Sequence, residues 1–122
     1  MAATTETEHG LTWYLDRDLA YEEAARTGKM VFIDFYGSWC TNCKAFQEEV
    51  GRNAAFRASL ADAVLLKVYD TSELFASYRD DERFPELSVG LPFFVITDAQ
   101  ANLVYKTSDF TKTEEMKLFL ED

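Results

Sequence analysis

A chain of 122 residues that is 48% hydrophobic and 15% aromatic can bury one core, and hardly two. Its 12 basic and 22 acidic side chains give a net charge of −10, which excludes a protein that tracks phosphates with clustered Lys and Arg, so nucleic acid is not an expected partner. No stretch approaches the roughly 20 apolar residues that span a bilayer, and Met1 to Gly10 lacks the basic start and apolar centre of a secretory signal, so as written the chain reads as soluble and without an address.

Residues 1–10 are small and polar, with little to bury, and are expected to form a disordered linker or chain edge; the domain is expected over 11–122. Such an abrupt start is what an excised piece of a longer protein would show, and a natural cytosolic protein with a floppy terminus would look the same. Leu11 to Leu15 reads as a short strand. Asp18 is the expected cap of a helix carrying Leu19, Glu22, Glu23, Ala24 and Ala25, which Gly28 ends. Met30 to Tyr36 reads as a central strand buried on both faces, in which Asp34 is the anomaly. Phe46, Val50, Phe56 and Leu60 recur at near-helical spacing, with Gly51-Arg52-Asn53 breaking the run into two helical pieces.

Ala63 to Tyr69 is a second buried strand. From Asp70 to Gly90 the pattern predicts a helix around Ser72 to Tyr78, an exposed loop over the charged run 79–83, and a helical turn near Pro85. Phe93 to Thr97 and Leu103 to Lys106 form a hairpin around Asp98 to Asn102, a connection without the Asn-Gly or Asp-Gly of the tightest turns, so its register stays open. Thr111 or Thr113 caps a last helix whose apolar face is Met116, Leu118, Phe119 and Leu120. Alternating helices and strands mark an α/β domain.

The only two cysteines stand together in Trp39-Cys40-Thr41-Asn42-Cys43-Lys44, between a buried strand and a helix. A helix opening at the first cysteine aims unpaired N–H groups and the positive end of the helix dipole at its sulfur, which favours thiolate over thiol. The second cysteine lies one turn on, within reach of the first. A structural zinc site wants four ligands, and the chain offers two cysteines and His9 in the weak tail, so no metal is expected. A stabilising staple fits poorly too, because so short a loop restricts the unfolded chain little.

The run Val31 to Lys44 resembles the strand, loop and helix start of the thioredoxin superfamily. Val89-Gly90-Leu91-Pro92, followed by the strand Phe93-Phe94-Val95-Ile96, resembles that family's cis-proline loop. Within the superfamily, Asp34-Phe35-Tyr36 with Trp39-Cys40-x-x-Cys43-Lys44, the strand Ala61 to Val68 and Val89 to Pro92 are most similar to the C-terminal thioredoxin-like domain of the DsbD family of bacterial thiol:disulfide interchange proteins. The resemblance covers residues 11–122 and implies a thioredoxin-like fold, a central mixed β-sheet with helices on both faces.

It also implies a thiol:disulfide oxidoreductase, a reductase relaying electrons to partner proteins. Its partners would be protein disulfides, periplasmic carriers among them, including the branch that serves cytochrome c maturation. Its electrons would come from a membrane-embedded donor domain, its compartment would be the periplasm, and it would need no cofactor beyond a redox-active Cys40–Cys43 disulfide. A stand-alone thioredoxin-like or isomerase-like protein is the alternative, and without the DsbD resemblance the compartment would be the cytoplasm; a binding module without turnover is the non-enzyme alternative. A monomer is the default, since no apolar patch is evident.

Disulfide exchange needs a nucleophilic thiolate, a resolving thiol and an accessible face for the mixed disulfide. Cys40, at the exposed N-terminal position, is the expected nucleophile, and Cys43, inside the first helical turn, the resolving thiol. Trp39 shapes the rim of the site or merely packs there. In the family, the position of Asp34 holds a buried carboxylate beneath the dithiol that transfers protons, and a carboxyl in an apolar setting has the raised pKa this requires; the plainer alternative is an ion pair with a lysine such as Lys67. Leu91 and Pro92 are expected to bind substrate through backbone exposed by a cis bond, which X-Pro adopts far more readily than other pairs; otherwise Pro92 is an ordinary proline opening a strand. The related domain often has an acidic residue four positions after its second cysteine, where this chain has Gln47, with Glu48 one step on, so the redox tuning departs from that pattern. Thr41-Asn42 between the cysteines matches none of the familiar pairs.

Overall fold

The computed structural model describes residues 3–121. In chain order the elements are β1 (Thr5–Glu8), β2 (Leu11–Tyr14), α1 (Arg17–Thr27), β3 (Val31–Tyr36), α2 (Thr41–Arg52), α3 (Ala54–Ala61), β4 (Val64–Tyr69), α4 (Glu73–Arg79), a 3-10 turn (Pro85–Ser88), β5 (Phe93–Thr97), β6 (Leu103–Thr107) and α5 (Thr113–Leu120). The six strands make one mixed sheet in the order β1-β2-β4-β3-β5-β6. β2, β4 and β3 run parallel, while β1, β5 and β6 join antiparallel.

The strands β3 and β4 lie at the centre because their sequences, VFIDFY and VLLKVY, are nearly all apolar and β-branched or aromatic, which suits burial on both faces. Each strand sends alternate residues to opposite faces. Val31, Ile33, Phe35, Leu66, Val68 and Val95 pack under α1 and α4, against Ala20, Ala24, Phe75 and Tyr78. Phe32, Leu65, Phe94 and Ile96 face α2, α3 and α5, against Phe46, Val50, Phe56, Leu60, Met116 and Leu120. Phe32 sits amid Trp13, Phe46, Phe56 and Phe94, with ring centroids 6.0–6.4 Å away.

The structure corrects the expected linker. Residues 1 and 2 lie outside the described residues, but Thr5 to Glu8 is a strand, paired in register with β2 from Thr5 opposite Tyr14 to Glu8 opposite Leu11. His9 and Gly10, both at positive φ, make the turn between them. This strand has no apolar residue to bury; what it delivers to the sheet is a pair of carboxylates, Glu6 and Glu8.

Two helix starts differ as well. Asp16, not Asp18, caps α1, its Oδ1 accepting from the Leu19 amide at 3.0 Å; a side-chain cap serves the amide three residues on, so a cap at Asp18 would sacrifice the first two residues of the helix. Neither Thr111 nor Thr113 caps α5: Lys112 occupies the cap position without a side-chain bond, Thr113 is the first helical residue, and the Thr111 hydroxyl donates to Asp109. On α5, Met116 and Leu120 face the core, whereas Leu118 is 68% exposed, since residues two apart on a helix point away from each other. Phe119 stacks on Tyr105 at the surface, centroids 4.7 Å apart.

The remaining helix boundaries follow their local chemistry. Gly28 ends α1 at φ 71°, a left-handed conformation that glycine adopts without Cβ strain. Asn53 ends α2 and caps α3, accepting from Phe56 N at 3.0 Å. Between β5 and β6, Asp98 accepts from the amides of Gln100 and Asn102, and Ala101 takes a positive φ; the pairing shifts at Ile96/Thr97, an irregularity that periodicity alone does not show.

Candidate active site

The carboxyl end of β3 and the start of β5 lie side by side, because the two strands are antiparallel with Phe35 opposite Phe93. The chain leaving β3 through Gly37 to Cys40 and the chain entering β5 through Leu91-Pro92 therefore meet at one edge of the sheet. The Leu91–Pro92 peptide is cis, as expected.

Cys40 is the N-cap of α2. Its sulfur accepts a hydrogen bond from the Cys43 amide at 3.1 Å, and its own amide donates to Gly37 O at 3.0 Å. Cys40 and Cys43 are joined as a disulfide with Cα atoms 5.2 Å apart. The same N–H and helix dipole that polarise the disulfide would stabilise a Cys40 thiolate after reduction, and no acidic residue occupies the first turn to oppose them.

The expected exposure of Cys40 needs correction: it is 3% exposed and Cys43 is fully buried. Capping draws the Cys40 sulfur inward over the helix end. Cys40 is still the more accessible of the two.

Trp39 is 65% exposed, so its place at the rim is not core packing. The indole lies over Gly37, where an added Cβ would come within 2.7 Å of Nε1, so a larger residue there would push the indole aside. Its Nε1 donates to Asp70 Oδ2 at 2.6 Å, and the Asp70 amide in turn donates to Tyr36 O at 3.0 Å. Asp70 was not singled out from the sequence; a carboxylate closing β4 beside an exposed tryptophan leaves no periodic signal.

Asp34 projects from β3 to the α2 side and is completely buried. Burial is the main force that raises its pKa from the ordinary 3.8 to about 7, against the lowering effects of the Lys67 charge and a hydrogen bond from Gln47. Gln47 Nε2 donates to Asp34 Oδ2 at 2.9 Å; Asp34 Oδ1 and Gln47 Oε1 are buried without a partner among the described residues. Gln47 and Cys43 are four residues apart on α2 and both buried, so they share the helix face turned toward Asp34. Glu48, the other acidic candidate, is exposed.

Lys67 stands beside Asp34 in the parallel β3/β4 register and is 4% exposed. Its ion pairs within 4.0 Å, among the described residues, go to Glu6 and Glu8 on β1, not to Asp34. The expected plainer alternative, an Asp34–Lys67 ion pair, is thus not formed at that range. His9, the remaining candidate ligand, rests against Gly51 at the opposite end of α2 from the cysteines.

Against known proteins, residues 12–99 match the model of a family described as thioredoxin-like. The chain is 37% identical over 89 residues to the thiol:disulfide interchange protein DsbD of Ralstonia nicotianae, a match that covers 70% of this chain and 14% of that protein. It therefore spans about one seventh of the length of this curated relative. Among solved structures, the germline-specific thioredoxin Deadhead of Drosophila melanogaster superposes with TM-score 0.58 at 25% identity, covering 84% of this chain and 91% of the other. The DsbH oxidoreductase superposes with TM-score 0.65 at 17% identity, covering 99% and 90%.

Proposed function

Since the chain belongs to the thioredoxin-like family, we propose that it is a thiol:disulfide oxidoreductase working in the reductive direction, passing two electrons from a membrane-held donor to disulfides of partner proteins in the periplasm. The observation that carries the direction is the buried Asp34 carboxyl, with a single hydrogen bond, on the side of the sheet that α2 covers. Negative charge there disfavours thiolate at the dithiol. Strong oxidants are those whose reduced thiolate form is stabilised, so an unneutralised carboxylate shifts this dithiol toward the reducing end. The likeness to DsbD supports the same direction, the donor and the compartment.

In the proposed cycle the Cys40 thiolate attacks a partner disulfide, forming a Cys40–partner mixed disulfide and releasing the partner's other sulfur as a thiolate, which takes a proton from water. Asp34, as carboxylate, accepts the proton of the Cys43 thiol. The Cys43 thiolate then attacks Cys40 Sγ, the Cys40–Cys43 disulfide forms, and the second partner thiolate leaves. The partner disulfide is reduced by two electrons and the dithiol is oxidised by two, with no dissociable cofactor. Burial of Cys43 suits it to this internal attack. The Leu91-Pro92 backbone, beside the dithiol edge, would pair with the partner's extended chain, and Trp39 would form the wall of that site.

The equilibrium reduction potential against glutathione tests the direction. A value near about −270 mV, that of thioredoxin, supports a reductase, and one near about −120 mV, that of DsbA, overturns it.

A further inference from the structure

The Lys67 ammonium sits in a cage that the dithiol does not touch. Glu6 Oε1 is 3.2 Å and Glu8 Oε2 3.9 Å from Nζ, and the faces of Tyr36 and Tyr69 lie 4.2 and 5.1 Å from it, centroid to nitrogen. The Tyr69 hydroxyl donates to Glu6 Oε1 at 2.7 Å and fixes that carboxylate in place. Beside the cage, Asp34 Oδ1 is buried with no hydrogen-bond partner among the described residues. A buried ammonium next to an unsatisfied buried carboxyl oxygen pairs with it unless something holds it elsewhere, because an orphaned charge or acceptor is expensive. Here the holding groups are on β1.

We propose that Glu6 and Glu8 are positioning residues for the disulfide exchange at Cys40–Cys43: by retaining the Lys67 ammonium in the Tyr36/Tyr69 cage, they leave the Asp34 carboxyl to Gln47 and the dithiol. The inference rests on the reading of Asp34 as the proton acceptor for Cys43. The groups facing Asp34 are Gln47 and the Cys43 side of α2, Lys67 on β4, Tyr36 on its own strand, and apolar Phe94 opposite it on β5. Glu6 and Glu8 reach it by two routes of the same sign. They occupy the cation that would otherwise favour the Asp34 carboxylate, and their own charges oppose a further negative charge nearby. The edge strand, polar in every residue, thereby sets the basicity of a group three strands away, across β2 and β4.

The test is the titration of the Asp34 carboxyl carbon in the 13C-aspartate-labelled 122-residue chain, with Asp34→Asn identifying the signal. In Glu6→Gln/Glu8→Gln the Asp34 midpoint falls by about 1 pH unit, the low end of what an opposite charge at ~4–6 Å does to a carboxylate. The pH inflection in the rate of mixed-disulfide resolution moves the same way. Adding Lys67→Met shrinks the effect of the two glutamine substitutions, since the cation they release is gone. An Asp34 midpoint equal to wild type in Glu6→Gln/Glu8→Gln overturns the proposal, as does an undiminished shift in the Lys67→Met background. Where the double variant does not fold, Glu6→Gln alone is read, with the same sign expected and an unmoved midpoint counting against it; Glu6→Asp, which keeps the charge, should lie closer to wild type. A shifted Asp34 midpoint with an unchanged rate profile supports the positioning and overturns instead the role of Asp34 as proton acceptor.

Discussion

The Gln47 side-chain amide donates to Asp34 Oδ2 at 2.9 Å, from the turn of α2 that follows Cys43. The residue that departs from the related domain's acidic pattern is therefore, among the described residues, the hydrogen-bond partner of the carboxyl proposed to take the Cys43 proton. A neutral amide steadies Asp34 without competing for its proton. Gln47→Glu should reverse this: two carboxyls sharing one buried site cannot both ionise, so the pair titrates in two steps, the upper lying above about 7. Carbon-13 titration reads the two steps. Resolution of the mixed disulfide at neutral pH should slow, because the pair then holds a proton between its two carboxyls and accepts that of Cys43 less readily.

Replacing either cysteine should separate the two steps of exchange. With dithiothreitol as donor, Cys40→Ser should lose insulin reduction to the background rate, since Cys40, the helix cap, is the more accessible of the two cysteines. Cys43→Ser should still attack and then stall, accumulating a covalent adduct with a disulfide-containing partner that non-reducing electrophoresis resolves. Wild-type turnover in Cys40→Ser would remove the enzymatic reading of this site.

The Trp39–Asp70 bond is expected to matter for binding more than for chemistry. Asp70→Ala frees an indole that is held over Gly37 by one hydrogen bond, worth about 1 kcal/mol. The partner KM should rise about 3–10-fold with kcat nearly unchanged, and acrylamide should quench Trp39 more readily, while Trp13, which is buried, stays protected.

These residues differ in how visible they were beforehand. Cys40, Cys43, Asp34 and the Leu91-Pro92 pair each broke a pattern: a charge in an apolar strand, two thiols at a strand-to-helix junction, a proline opening a strand. Hydrophobic periodicity found β3, β4, β5 and the core faces of α2 and α3 because those segments are held by apolar burial. It missed β1, whose stability comes from backbone pairing with β2 and from carboxylates bonded to Lys67 and Tyr69. The alternation Thr5-Glu6-Thr7-Glu8 was the available signal, a period of two written in polar residues, and it signifies only once a buried cation exists to receive the glutamates. Leu118 was misplaced for a simpler reason: Met116, Leu118, Phe119 and Leu120 span too wide an arc for one helix face.

The aromatic cluster under α2 gives a stability prediction independent of the redox chemistry. Phe32 is fully buried, with four aromatic neighbours on β2, α2, α3 and β5. Phe32→Ala should cost about 3–5 kcal/mol in denaturant unfolding, and Phe32→Leu less, because part of the volume is retained.

Asp34 should also make the fold less stable as the solution becomes more alkaline. Its folded pKa of about 7 lies above the ordinary 3.8, so between these values the folded chain binds a proton that the unfolded chain has released. Stability contributed by the neutral carboxyl is complete below about 4 and is lost as pH rises through 7, where folding must bury the anion. Asp34→Asn removes that dependence while keeping a polar group to meet Gln47. It should match wild type near pH 4 and exceed it at pH 8 by up to roughly 4 kcal/mol, since each pH unit between the unfolded and folded midpoints is worth about 1.4 kcal/mol. Urea unfolding of both proteins across this range measures the difference, and parallel curves would mean that Asp34 ionises in the fold as readily as in water. The same substitution should slow mixed-disulfide resolution most at pH 7 and above, where the wild-type carboxylate is available to take the Cys43 proton, so the variant that gains stability is the one that loses rate.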